Sequence, residues 1–189
     1  MPPSSPVVCY RIDARDHLVA VNPAWDEWAA QNEGDSVQSS RVLGRPLWSS
    51  LSGATVRELY WHLCQRVRTG VTARFPFRCD SPFERRVFEM QAAPAGEGGV
   101  SFSSRAVRIE RSAPQPLLDV HRARSDEFVT MCSWCHGVKL AAGWAPLEEA
   151  LARLHLEEAS RLPRLSHGVC DACSDRFFAA VKAASPEPR

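Results

Sequence analysis

The chain has 189 residues, 44% of them apolar, and a formal net charge of +1, enough for one ordinary domain with an appendage or for two small domains. Divided at Pro116, its halves carry 14 Lys and Arg against 12 Asp and Glu, then 9 against 10. Neither half has the basic excess that neutralises phosphates, so a nucleic-acid partner is not expected. The start "MPPSSPVV" lacks the basic and apolar regions of a secretory leader, and no run of about 18 uncharged apolar residues occurs; a cytoplasmic protein without membrane contact is expected.

In chain order, "VVCYRID" and "HLVAVN" are short apolar runs separated by "ARD", which predicts a hairpin. Asn22 followed by Pro23 predicts a helix start, with Ala24, Trp25, Trp28 and Ala29 at helical spacing. After the polar loop "GDSVQSS", Val56, Leu59, Tyr60, Leu63 and Val67 form one apolar face, predicting a helix over 55–67 that ends near Gly70. Beyond Gly70 the period falls to two. Ala73, Phe75, Phe77 and Cys79 share one face, then Phe88, Met90 and Ala92, then Val100, Phe102 and Ser104, predicting three antiparallel strands. Pro76 cannot donate to a sheet ladder, which puts its strand at an edge or a bulge. "RSAPQP" reads as a linker.

The remainder predicts two helices. "APLEEALARLHLEEA" has Pro146 and two early glutamates, Glu148 and Glu149, with Leu147, Leu151 and Leu154 at helical spacing. A second helix over 171–181 carries Phe177, Phe178 and Val181. So few large apolar residues call for a metal or a neighbouring domain to hold the segment together. The two halves are expected to have separate cores.

Four of the seven cysteines fall into two Cys-x-x-Cys pairs, Cys132 with Cys135 and Cys170 with Cys173, while Cys9, Cys64 and Cys79 stand singly. In a reducing compartment clustered cysteines serve as metal ligands or redox centres rather than as a disulfide framework. Zinc takes four tetrahedral ligands at about 2.3 Å, and two thiolates separated by two residues can face one ion across a tight turn. Zn2+ held by Cys132, Cys135, Cys170 and Cys173 is therefore expected, with His167 as a rival ligand. The 34 residues between the pairs exceed the roughly 15 to 20 of a common zinc ribbon, and an inserted helix accounts for the excess. Four thiolates leave zinc no open position, and no Gly-rich phosphate loop, Gly-x-Ser-x-Gly or His-Glu-x-x-His occurs. No catalysis is expected. The alternative is a thiol-redox protein or a zinc-dependent enzyme using the same cysteine pairs, and oxidation of zinc thiolates with release of the metal would make the module a redox switch.

The order of two strands, several helices and three strands, with the words "NPAWDEWA", "VLGRPLW" and "RCDSP" in sequence, resembles small bacterial PAS-type proteins from Val7 to about Arg111. The resemblance implies a five-stranded antiparallel sheet with helices on one face. It also implies a cavity between the sheet and the long helix, with Trp48, Tyr60, His62, Leu63, Phe77, Cys79, Met90 and Phe102 as candidate lining. Some PAS domains bind haem through a histidine on the long helix; His62 lies off the apolar face, so haem is not expected. The segment "CSWCHGVKL", "GWAPLEEAL", "LSHGVCDAC" resembles a cysteine-rich tail on bacterial sensory and response-regulator-like proteins. There the residue after the second cysteine is often basic, whereas here it is His136, which becomes a second rival ligand. The combined expectation is α+β: tails over 1–6 and 184–189, a PAS-like sensory domain over 7–111, a linker over 112–126 and a small helical zinc module over 127–183. Such a protein would signal by contact with a protein partner or by homodimerisation, with a small-molecule ligand in its cavity.

Overall fold

The hairpin forms as β1 (Val8–Ile12) and β2 (Leu18–Val21) in the computed structural model, which describes residues 6–183. The tails expected over 1–6 and 184–189 lie, except for Pro6, outside the described residues. Asn22 stands just before α1 (Pro23–Gln31) but does not cap it with its side chain. Its Oδ1 accepts the Cys9 N–H at 2.9 Å and its Nδ2 donates to the Val7 carbonyl at 2.7 Å, fastening the helix start to β1. A short helix α2 (Ser39–Val42) leads to α3 (Ala54–Arg68), which buries Val56, Leu59, Leu63, Cys64 and Val67. Gly70, at φ +98°, supplies the left-handed turn that ends this helix, a conformation glycine adopts without steric cost.

Strands β3 (Ala73–Arg78), β4 (Glu84–Ala95) and β5 (Gly99–Arg111) follow. They join the hairpin in one antiparallel sheet of order β2-β1-β5-β4-β3, the five-stranded sheet expected from the resemblance. Ala73, Phe75, Phe88, Met90, Ala92, Val100 and Phe102 all point into the core. Pro76 sits in β3, an edge strand, where a missing N–H costs the ladder nothing on its open side. Helices cover the inner face: Tyr10 of β1 stacks on Phe102 at 4.6 Å and meets Trp25 of α1 edge-on, and Tyr60 of α3 lies 6.2 Å from Phe102.

The C-terminal segment is richer than the helical module expected. It contains β6 (Arg124–Cys132), β7 (Val138–Leu140), β8 (Gly143–Ala145), α4 (Leu147–Arg153), β9 (Leu162–Gly168) and α5 (Asp171–Ala183). The strands form a second sheet of order β8-β7-β6-β9 in which β6 and β9 run parallel. The gap between the cysteine pairs thus holds a hairpin, a helix and a strand. The helix read over 145–159 is only seven residues long. His155 takes φ +52°, and Leu156 turns back to bond the Leu151 carbonyl at 2.9 Å and is buried. Nor is the linker free, because Gln115, Pro116 and Leu117 are buried and β6 already begins at Arg124.

The expectation of separate cores is corrected. Leu117, Val138, Leu147, Leu151 and Leu162 make a small cluster of their own. Cys132, Trp134, Cys170, Cys173, Phe177 and Val181, however, belong to the same buried cluster as Leu63, Phe75, Met90 and Phe102. Among the described residues no helix is long and apolar enough to cross a membrane.

Candidate metal centre

Each cysteine pair sits on a tight turn built by its own backbone. At the end of β6, the Cys132 N–H donates to the Gly137 carbonyl at 2.7 Å and the His136 N–H to the Cys132 carbonyl at 3.0 Å, closing a knuckle around "CSWCHG". His136 takes φ +59° to make the bend. The second pair starts α5: the Cys170 carbonyl accepts the N–H groups of Cys173 and Ser174 at 3.0 and 2.9 Å. The parallel pairing of β6 with β9 brings the two turns together, since Cys132 lies opposite Gly168 in the register.

The four Sγ atoms all lie within 4.8 Å of one another, and no other such cluster of three or more His, Cys, Asp or Glu side chains occurs among the described residues. The Cys135 and Cys170 sulfurs are 3.7 Å apart and none of the seven cysteines is in a disulfide. A tetrahedron with bonds of about 2.3 Å has edges of about 3.8 Å, so the spacing suits four thiolates around one ion. The surroundings favour negative sulfur. The Cys170 N–H donates to the Cys132 Sγ at 3.3 Å, the Gly137 N–H to the Cys135 Sγ at 3.4 Å and the Arg176 Nη2 to the Cys173 Sγ at 3.1 Å. The hydrogen bond from Cys135, with help from backbone N–H groups, pulls the Cys132 thiol down to about 4 against the cost of burial. Cys135, which supplies that proton, is pushed up, and burial raises Cys173 to about 11. A divalent ion would replace these shared protons. Four close sulfurs with N–H donors aimed at three of them fit a metal ion.

The rival ligands lie outside this group. His136 is buried with its Nδ1 3.2 Å from the Asp80 Oδ2, and His167 is on β9 at the mouth of a cleft, its imidazole held below its ordinary pKa by burial and by His136. Asp80 is the residue that sequence reasoning missed. It follows Cys79 in "RCDSP" and its side chain is 1% exposed. Burial would raise its pKa, but hydrogen bonds from His136, Arg78 and the Arg86 N–H hold the carboxyl at about 2. Arg78 ion-pairs with Asp80, donates Nη1 to the Cys135 carbonyl at 3.2 Å and bonds the Trp134 carbonyl through its backbone N–H at 2.7 Å. This latch fixes the knuckle to the end of β3. On the other side, Gly53 at φ +90° lets the turn before α3 approach β9 so closely that a Cβ there would lie 2.5 Å from the His167 carbonyl oxygen.

Between the two cysteines of the knuckle stands Trp134, only 6% exposed. Its ring lies 6.0 Å from Tyr60, 6.0 Å from Phe75 and 5.4 Å from Phe177, and Phe177 in turn meets Phe75 at 5.4 Å. The aromatic face of the first sheet is thus closed by two side chains of the cysteine module. Of the candidate lining residues, Leu63, Met90 and Phe102 are packed solid, with the Tyr60 hydroxyl on the Met90 sulfur at 3.7 Å. Tyr60 and Phe77 border a cleft of about 410 Å³ that is walled by Val56 of α3, by Phe75 of β3 and by Ser133, Trp134 and His136 of the knuckle. Trp48 is tied to Asp16 at 3.2 Å, and His62 is exposed on α3, 5.9 Å from Phe178. Cys79 borders the same cleft, its thiol raised by burial.

No protein-family model matches the chain, and no curated protein matches it. Among solved structures, it is similar to a sensory box sensor histidine kinase from Vibrio cholerae, with 9% sequence identity and a TM-score of 0.38 over 56% of this chain and 84% of that one.

Proposed function

We propose that this chain is a regulatory protein in which a PAS-like sensory or dimerisation domain is fused to a zinc module, with Zn2+ held by Cys132, Cys135, Cys170 and Cys173 and no rival role for His136 or His167. The observation that carries the reading is Trp134, which lies between Cys132 and Cys135 in the chain and is also part of the core of the first sheet. Whatever orders or loosens the metal site therefore alters the aromatic face that a PAS-like domain uses. Signalling requires a difference in free energy between two states, and loss of metal from a module that depends on it supplies one. The output is contact with a protein partner, a second copy of the chain included; Phe83, Val107 and Ile109, each more than 40% exposed around β4 and β5, supply apolar surface for it. The working compartment is a reducing cytoplasm, which keeps the thiols available to metal.

Native mass spectrometry of freshly purified protein tests the reading in one experiment. The proposal requires one zinc per chain, lost together with folded charge states on chelation. Full-length protein that folds without metal, or that binds none, rules it out.

A further inference from the structure

A second pocket, of about 370 Å³, lies at the connection between the two sheets. Its size is within the roughly 300 to 1,000 Å³ of small-molecule sites, which pair apolar walls with a few placed polar groups. Pro82 and Phe83, between β3 and β4, and Pro114 and Pro116, between β5 and β6, form its apolar wall. The Gln115 N–H donates to the Pro82 carbonyl at 2.7 Å and the Ser112 N–H to the Phe83 carbonyl at 3.0 Å, which fixes these two segments against each other. The segment after α4 supplies Glu157 and is tied in by Arg122, whose Nη2 donates to the Ala159 carbonyl at 2.6 Å. None of the four paired cysteines borders this pocket.

The polar groups of this pocket are unmatched. Gln115 is 2% exposed, yet its Oε1 accepts no hydrogen bond among the described residues. A buried amide oxygen without a donor is costly, and a ligand N–H would remove that cost. Asp119, Glu157 and Arg122 line the same pocket, but no ion pair joins Arg122 to either carboxylate among the described residues. Three accepting groups and one guanidinium thus share an apolar pocket without satisfying one another. An ammonium brings three N–H donors, and a carboxylate accepts from a guanidinium. A molecule that carries both charges on one carbon, with an apolar remainder, matches the set. We infer that this pocket binds a free α-amino acid with an apolar side chain: its ammonium on Gln115, Asp119 and Glu157, its carboxylate on Arg122, its side chain on Phe83 and the prolines. The inference goes beyond the regulatory reading above and does not depend on the metal. Such a ligand bridges the two sheets, since Phe83 precedes β4 of the first and Glu157 lies between α4 and β9 of the second.

L-phenylalanine, 3-phenylpropionate and 2-phenylethylamine are the probes: they share the aromatic body, and the second lacks the ammonium while the third lacks the carboxylate. Calorimetric titration of the full-length protein as purified should show saturable binding of L-phenylalanine. Each of the other two should bind roughly tenfold or more weakly, the worth of a charge-assisted hydrogen bond. Glu157 is exposed, so Glu157→Gln keeps the fold and should weaken L-phenylalanine roughly threefold or more while leaving 3-phenylpropionate unchanged. Arg122→Gln should weaken L-phenylalanine and leave 2-phenylethylamine unchanged. Circular dichroism of both variants checks that they are folded, and the three probes on the parent protein decide the case without any variant. Parent protein that binds no L-phenylalanine, or binds either single-charge probe as tightly, overturns the inference. So does binding of L-phenylalanine that is unaltered in both folded variants.

Discussion

Trp134→Ala removes the side chain that joins the Cys132–Cys135 turn to the first sheet. A buried tryptophan contributes about 150 to 250 Å² of contact surface, which at about 25 cal/mol per Å² corresponds to roughly 4 to 6 kcal/mol, an upper value because the unfolded chain buries some of it already. Large-to-small substitutions of buried Trp and Phe cost about 3 to 5 kcal/mol. With Trp134 only 6% exposed and in contact with Tyr60, Phe75 and Phe177, the loss should fall in that range. The measurement is urea unfolding of zinc-loaded protein at fixed free zinc, followed by circular dichroism, together with zinc affinity by chelator competition. On the zinc proposal the ring docks only when the knuckle is folded around its metal, so a loss of about 3 kcal/mol should also weaken zinc about a hundredfold. Phe128→Ala on the same module, at a residue 64% exposed, is the control and should change stability by no more than about 0.5 kcal/mol. A Trp134→Ala protein within about 1 kcal/mol of the parent, with its zinc affinity intact, would refute the idea that this side chain couples the two halves.

Cys170→Ser should lose the metal and melt the C-terminal module. Because Phe177 and Trp134 belong to the common core, the melting temperature of the first sheet should drop as well, and a sheet that melts unchanged in thermal scans would restore two independent halves. Asp80 titrates near 2 in the folded protein against 3.8 ordinarily, so its contribution is present above about pH 4 and is lost as the pH falls from there through about 2. The stability gap between the parent and Asp80→Asn, about 2 kcal/mol at neutral pH, should therefore close over that interval in urea titrations. A gap that stays constant with pH contradicts the latch. Under mild hydrogen peroxide, Cys135, the one of the four that is not fully buried, should be the first oxidised: its thiolate sulfur attacks the peroxide and becomes a sulfenic acid with release of hydroxide. A neighbouring thiol then displaces water to give a disulfide, and zinc leaves. Reductant with added zinc should restore the site, and zinc release no faster than in untreated protein would leave the site purely structural.

Much of the first half was legible because its periodicities are clean. Val56, Leu59, Leu63 and Val67 could only share a face on a helix, and Phe75 with Phe77, Met90 with Ala92, and Val100 with Phe102 only on strands, so the burial of α3 and of β3 to β5 follows from spacing. The cysteine pairs were equally readable, because their spacing is a local property of a turn. What escaped the sequence depends on distant partners. The short strands β7 and β8, at three residues each, carry no periodic signal, and β9 is defined by its parallel pairing with β6, thirty-odd residues earlier. Asp80 gave no sign either, since a carboxylate between strands normally faces water; only the knuckle docking above it explains its burial. The Trp of "CSWC" was visible as a residue but not as a core residue, because nothing in a tetrapeptide says which sheet it will meet.

The central proposal is one zinc held by four sulfurs, two of them in a turn whose Trp134 is also part of the core of the first sheet. X-ray absorption at the zinc edge of the full-length protein reads the ligand shell directly. Four sulfur scatterers at about 2.3 Å, with the same shell retained in the His136→Gln and His167→Ala proteins, is the expected result. A shell containing a nitrogen scatterer at about 2.0 Å that disappears in either histidine variant would contradict it.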